Sequence, residues 1–96
     1  MITEVSNMSK TPKVEIYTGM ACGYCMRVLR LFDAKQIKYK QIDVSMSSAL
    51  RAEMTRRAGG RKTVPQVFLD GEHIGDCDEL FCLENAGHLD KLLALS

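Results

Sequence analysis

At 96 residues the chain is long enough for one domain, near the lower size at which a hydrophobic core suffices without staples, and its 46% apolar content suits an ordinary globular fold. Thirteen Lys and Arg against 12 Asp and Glu leave a net charge of +1, which excludes the strongly basic surface that nucleic acid or an anionic membrane selects. No segment approaches the length of a bilayer span, so the expected partners are small molecules and proteins.

The N-terminal "MITEVSNMSKTPK" lacks the basic start and the apolar run of about 7 to 15 residues that mark a secretory signal, and the cytosol is the expected location. Residues 1–12 show no periodicity and are expected to form a flexible tail, with Met8 an alternative start; the folded domain is expected at 13–96. In a reducing compartment, four cysteines favour catalysis or metal binding over a disulfide framework.

From Lys13 the pattern sharpens. "VEIYT" alternates Val14 and Ile16 inward with Glu15 and Tyr17 outward, as a strand does. Cys25, Val28, Leu29 and Phe32 then recur at helical spacing opposite Arg27, Arg30 and Asp33, which predicts an amphipathic helix. "IKYKQIDV", Ile37 to Val44, predicts a second strand, reached by a connection of β-α-β length. "SMSSALRAEMTRRAGG" predicts a second helix, capped by Ser, with Leu50, Met54 and Ala58 on one face and an end at Gly59 and Gly60. Gln66 to Leu69 and Glu72 to Gly75 predict a hairpin turned by Asp70-Gly71, and "CDELFCLENAG" and "HLDKLLAL" predict two short helices separated by Gly87.

The order β-α-β-α-β-β-α-α implies an α/β fold with a four-stranded mixed sheet and helices on both faces. In open sheets of this kind, ligands bind beyond the carboxyl ends of the parallel strands, which is where Cys22 falls. Cys22 and Cys25, two residues apart at a strand-to-helix junction, admit three readings: a redox pair, half of a metal site, or two small apolar residues. The position favours chemistry. At a helix cap, the free amides of Tyr24 and Cys25 and the helix dipole favour negative charge on the Cys22 sulfur, and the thiolate is the nucleophile of disulfide exchange. Cys25, one turn in and facing the core, suits a resolving role.

The segments "YTGMACGYCMR", "TVPQVFLDG" and "HIGDCDEL" together resemble a dithiol glutaredoxin of the bacterial glutaredoxin 3 type, with the thioredoxin fold, over about Lys13 to Leu93. The resemblance implies a glutathione-dependent thiol-disulfide oxidoreductase that reduces protein-glutathione mixed disulfides and protein disulfides. Cys22 is then the nucleophile, Cys25 resolves, and glutathionylated or disulfide-containing proteins are the partners of a monomer. It also implies a glutathione site in which the Val64-Pro65 bond is cis and the backbone of Val64 pairs with the tripeptide. Thr63 and Pro65 form the same edge, Tyr24 flanks the ligand, and Arg61 meets a carboxylate. The amides of Cys77 and Asp78 would hold the γ-glutamyl carboxylate, with the Asp78 side chain on the neighbouring ammonium.

The chain departs from the family pattern at Gly19, where many relatives carry Lys, at Gly23, where Pro is commoner, and at Asp76, where a second Gly is expected. Non-proline motifs in this family include dimers that hold a [2Fe-2S] cluster on the first cysteine and glutathione. An iron-sulfur carrier using Cys22 is therefore the alternative, and its metal site would lie between two chains. A zinc module built from Cys22, Cys25, Cys77 and Cys82 is a third reading, weakened by the four-residue spacing of the second pair. His73 reads as a surface strand residue, His88 as a helix cap, Cys82 as a small core residue and Cys77 as a partly buried, inert thiol.

Overall fold

A computed structural model describes residues 12–95. The expected tail, with Met8, lies outside the described residues except for Pro12. The elements follow in the order β1 (Val14–Thr18), α1 (Gly23–Ala34), β2 (Lys40–Asp43), α2 (Ser48–Arg57), β3 (Gln66–Leu69), β4 (Glu72–Gly75), α3 (Cys77–Asn85) and α4 (His88–Leu92). The strand order is β2-β1-β3-β4, with β1 parallel to β2 and antiparallel to β3, and β4 antiparallel to β3. This is the four-stranded mixed sheet predicted from the element order, and the thioredoxin fold that the resemblance implied.

Each face of the sheet has its own core. Val14 and Ile16 of β1 and Val67 and Leu69 of β3 pack with Val28, Leu29 and Phe32 of α1, Leu80 of α3 and Leu89 of α4. On the other face, Tyr17 and Phe68 pack with Met54 and Ala58 beneath α2. Because β1 is an inner strand with helices on both sides, Glu15 and Tyr17 are buried as well, at 8% and 1% exposure, and the outward placement read from their alternation is corrected. Alternation separates two faces; it does not say that one of them is wet.

Glu15 is tolerated there because Arg57, in the last turn of α2, reaches down to it. The guanidinium donates to Glu15 Oε1 at 2.8 Å and to the Tyr17 hydroxyl at 2.6 Å, and its carbon lies 4.2 Å from the Phe68 ring centre. This pairing satisfies a carboxylate that burial would otherwise leave stranded.

Three further expectations are corrected. The second strand spans Lys40–Asp43 rather than Ile37 to Val44, because it is an edge strand that pairs only along Glu15–Thr18. Ile37 instead turns into the core and its N–H donates to the Phe32 carbonyl at 3.0 Å, closing α1. Cys82 is exposed: five residues beyond the buried Cys77, it lies about 140° around α3 from the core-facing stripe. His88 is the first residue of α4, and the cap is Gly87, whose φ of 78° suits glycine. The hairpin turn has positive φ at both Asp70 and Gly71, as expected of a tight two-residue turn, and Asp70 also ties it to Lys13.

Replacing Arg57 by Met keeps the apolar contact but strands Glu15, and should lower stability at neutral pH by about 1–3 kcal/mol. The Arg57 hydrogen bond holds the Glu15 carboxyl below its ordinary 4.5, so its contribution is present above that value and lost as pH falls through the lower folded value. Urea unfolding of both proteins should therefore show a gap at pH 7 that narrows in acid; a gap of the same size in acid would contradict this account.

Candidate active site

The chain leaves β1 at Thr18, turns through Gly19, Met20 and Ala21, and enters α1 with Cys22 at the N-cap. Cys22 has extended backbone angles, φ −105° and ψ 105°, and its Sγ accepts the Cys25 N–H at 3.1 Å. Of the two amides expected at this sulfur, that of Cys25 makes the bond. An amide hydrogen aimed at sulfur at the positive end of a helix favours negative charge there. Cys22 is half-buried, and as a thiol it also points at the Val64 carbonyl, 3.8 Å away.

Cys25 is the next sulfur in and is 2% exposed. Burial, followed by the neighbouring Cys22 thiol, pushes its pKa up to about 12, so it stays protonated at neutral pH. The two cysteines are thus chemically unequal, one half-buried at the helix cap and one buried and protonated.

Next to Cys22, whose sulfur reaches the Val64 carbonyl, a cleft of about 310 Å³ is lined by Tyr24, Thr63, Val64, Pro65, Asp76, Cys77 and Asp78. Six of the seven residues that the resemblance assigns to glutathione therefore line one recess beside Cys22. The Val64-Pro65 bond is cis, as the resemblance implied. Tyr24 stands on the first turn of α1 with more than half of its surface exposed. A larger recess of about 650 Å³ lies where β1 begins, among Lys13, Ile37, Lys38 and Tyr39, and contains no thiol.

Arg61, the seventh residue, stands outside this lining. Its guanidinium forms a two-pronged pair with Glu79, Nη1 to Oε1 and Nη2 to Oε2, the second at 2.7 Å. Arg61 holds the Glu79 carboxyl down to about 2. Glu79 in turn accepts the Asp76 N–H at 2.9 Å while Asp76 accepts the Glu79 N–H at 3.0 Å, a capping box on α3. Gly75 makes room for it, since a Cβ there would lie 2.7 Å from the Glu79 Cβ. With Glu79 N–H taken by the cap, the amides of Cys77 and Asp78 remain as the open donors at this helix start. Asp76, which stands where the family pattern has Gly, is the cap. The spacing Asp-x-x-Glu was its signal in the sequence.

Two other features were missed. Gln66 is fully buried just after the cis bond; its Nε2 donates to the Thr63 carbonyl at 3.1 Å and to the Thr63 hydroxyl at 3.3 Å, and its Oε1 lies 2.6 Å from His73 Nε2. His73, read as a surface residue, is half-buried, and its ring centre lies 5.1 Å from that of Phe68. Burial and then the Arg61 charge lower its pKa, favouring the neutral ring. The pair braces the Thr63 to Pro65 loop, and nothing in the spacing of Gln66 and His73 announced it. Gly19 likewise has a packing reason: a Cβ there would stand 3.0 Å from Val64 Cγ2, so the loop before Cys22 approaches Val64 more closely than a side chain permits comfortably.

Cys77 is buried and its thiol pKa is raised, first by burial, in line with an inert thiol. Cys82 points to solvent, and among the described residues no three His, Cys, Asp or Glu side chains gather as a cation site. The four thiols do not converge as a zinc module requires.

Residues 14–74 match the family model for glutaredoxin. The chain is 45% identical over 80 residues to glutaredoxin 3 of Escherichia coli, covering 83% of this chain and 95% of that one. It is 42% identical over 88 residues to glutaredoxin 1 of Rickettsia prowazekii, covering 91% and 93%. The solution structure of a Brucella melitensis glutaredoxin superposes with a TM-score of 0.78 at 43% identity, over 90% of this chain and 92% of that one. A crystal structure of a buckwheat glutaredoxin-glutathione complex gives 0.78 at 30% identity, over 97% and 86%. With its two unequal thiols at the start of α1 and this match to sequence and fold, the chain belongs to the glutaredoxin family of thiol-disulfide oxidoreductases.

Proposed function

We propose that the chain reduces protein-glutathione mixed disulfides, and protein disulfides, with glutathione as the electron donor. The observation that carries this reading is the cleft beside Cys22, which joins the Thr63 to Pro65 edge to the two open amides of α3. A γ-glutamyl peptide has a carboxylate for those amides, an ammonium for the Asp78 carboxylate and an extended backbone for that of Val64. Tyr24 covers the ligand from the α1 side. Arg61 approaches its far carboxylate while staying anchored to Glu79, and Thr63, braced by Gln66, presents its hydroxyl and carbonyl from a fixed loop.

The chemistry follows from the two thiols. The Cys22 thiolate attacks the glutathione sulfur of a mixed disulfide; the sulfur-sulfur bond breaks, the protein leaves as thiolate and takes up a proton, and Cys22 carries the glutathione. A second glutathione thiolate attacks that sulfur, leaving as oxidised glutathione and regenerating Cys22. With a protein disulfide, Cys22 forms the mixed disulfide, Cys25 gives up its proton and attacks the Cys22 sulfur, and the internal disulfide is then reduced by two glutathiones. A cytosolic setting suits this cycle, because glutathione is kept reduced there. An iron-sulfur cluster draws on the same Cys22 sulfur but needs four thiolates. Those thiolates would come from two chains and two glutathiones, whereas the unequal Cys22 and Cys25 of one chain, half-buried and buried, are what reduction of a protein disulfide uses.

In a glutathione-coupled assay on a glutathionylated protein, wild type and Cys25→Ser should turn over and Cys22→Ser should be inactive. A folded but inactive wild type would overturn the reading. Asp78→Ala removes one charge-assisted contact and should lower kcat/KM for the mixed disulfide about 10- to 100-fold.

The burial of Cys25 makes a separate prediction. Iodoacetamide mapping by mass spectrometry of the reduced protein should find Cys22 and Cys82 labelled at neutral pH, with Cys25 labelling low up to about pH 9, as expected for a thiol whose thiolate forms only near pH 12. Equal labelling of Cys25 at neutral pH would contradict the asymmetry.

A further inference from the structure

The net charge of +1 conceals a local concentration of basic residues. Between positions 51 and 62 stand Arg51, Arg56, Arg57, Arg61 and Lys62, against a single acid, Glu53. Two of the five are neutralised within the fold: Arg57 pairs with Glu15 and Arg61 with Glu79. The other three, Arg51, Arg56 and Lys62, line one groove of about 470 Å³ together with Ser48, Ala52 and Thr55. Among the described residues no acidic side chain lines it.

The groove is built from α2 and the loop that follows it. Ser48, Ala52, Thr55 and Arg56 lie around the helix from Met54, the residue that α2 buries, and Lys62 comes from the loop. Arg51 ties the two segments, its Nη1 donating to the Lys62 carbonyl at 2.6 Å. The Thr55 hydroxyl is spent on the Arg51 carbonyl, 2.9 Å away, so the groove's free polar groups are chiefly cationic. Arg56 and Lys62 are exposed. Lys62 also directly precedes Thr63, which lines the cleft beside Cys22, so groove and cleft adjoin along the chain.

We propose that this groove is the docking surface for an acidic segment of the protein whose disulfide the chain reduces. The proposal rests on the function given above, in which glutathione occupies the cleft and the protein half of the mixed disulfide extends beyond it. The groove then meets that protein with three cations and no acid. Two of the three are arginines, whose planar fork matches a carboxylate. Exposed charges of this kind act mainly on encounter: a complementary patch raises the rate of association and loses its effect as salt screens it. A nucleic acid asks for a longer basic stripe, whereas another recess along α2 includes Asp43 and Glu53.

The test compares three glutathionylated substrates in the glutathione-coupled assay: a peptide with Asp and Glu flanking its cysteine, the same peptide with Asn and Gln, and the mixed disulfide of glutathione and β-mercaptoethanol. At low ionic strength kcat/KM for the acidic peptide should exceed that for its amide counterpart by about tenfold. The ratio should fall toward one in about 0.3 M salt. Arg56→Glu combined with Lys62→Glu should abolish or invert the preference while the β-mercaptoethanol disulfide is reduced at the wild-type rate, which also shows that the variant is folded. A second measurement needs no turnover: the acidic peptide with Ser in place of its cysteine, titrated into the wild-type chain by NMR, should shift the amides of Ala52, Thr55 and Lys62. Failure to reduce even the β-mercaptoethanol disulfide would overturn the proposed function and leave those shifts to decide the groove. Equal kcat/KM for the two peptides, a preference of unchanged size in the double variant, or peptide shifts confined to other elements would overturn the docking surface. Stronger shifts of the same amides by a single-stranded oligonucleotide would overturn the assignment of an acidic protein as its partner.

Discussion

The hydrogen bond from the Cys25 N–H to the Cys22 sulfur makes that sulfur the cap of its own helix, and most of the molecule is arranged around that constraint. A cap holds only if the first turn is held. The helix α1 is held by a buried stripe, Cys25, Val28, Leu29 and Phe32, of which the last three pack in the core with β1 and β3. The same 3.6-residue period that fills the core therefore places Cys25 directly behind Cys22. The position of Cys22 inherits the rigidity of the core, and the burial of Cys25 is what keeps that thiol protonated.

The opposite wall of the cleft is held by hydrogen bonds rather than by apolar packing. Gln66 braces the Thr63 to Pro65 loop from inside, and the capping box of Asp76 and Glu79, anchored by Arg61, sets the start of α3. The Arg61–Glu79 pair is exposed enough that solvent screens most of its attraction. Its consequence is directional: it leaves two amides facing the cleft and keeps the third occupied. The described residues contain no buried side-chain polar atom without a partner, so these networks close on themselves.

The four cysteines show how one chain separates reactivities without changing the residue. Cys22 is a half-open cap, Cys25 a buried neighbour with a raised pKa, Cys77 a core residue at the cleft with a raised pKa, and Cys82 a solvent-facing thiol on the far side of α3. The differences come from burial and from the charges and amides that each sulfur faces, and these are what set a thiol's reactivity.

The sequence by itself determined the element order, the Asp70-Gly71 turn, the capping position of Cys22, the buried stripe of α1 and the three motifs that mark the family. Each of these is local or periodic, so spacing reports it directly. It also contained the Asp76 to Glu79 box, readable from the Asp-x-x-Glu spacing. Only the tertiary structure decided that Glu15 and Tyr17 lie under α2, that Cys82 faces solvent, that the edge strand is four residues long, and that Arg61 is committed to Glu79. The Gln66–His73 brace and the approach of Gly19 to Val64 belong to the same group. Periodicity identifies the two faces of an element but not what covers them, and hydrogen bonds between residues 7 to 42 positions apart, such as Gln66 to His73 and Glu15 to Arg57, leave no trace in local spacing.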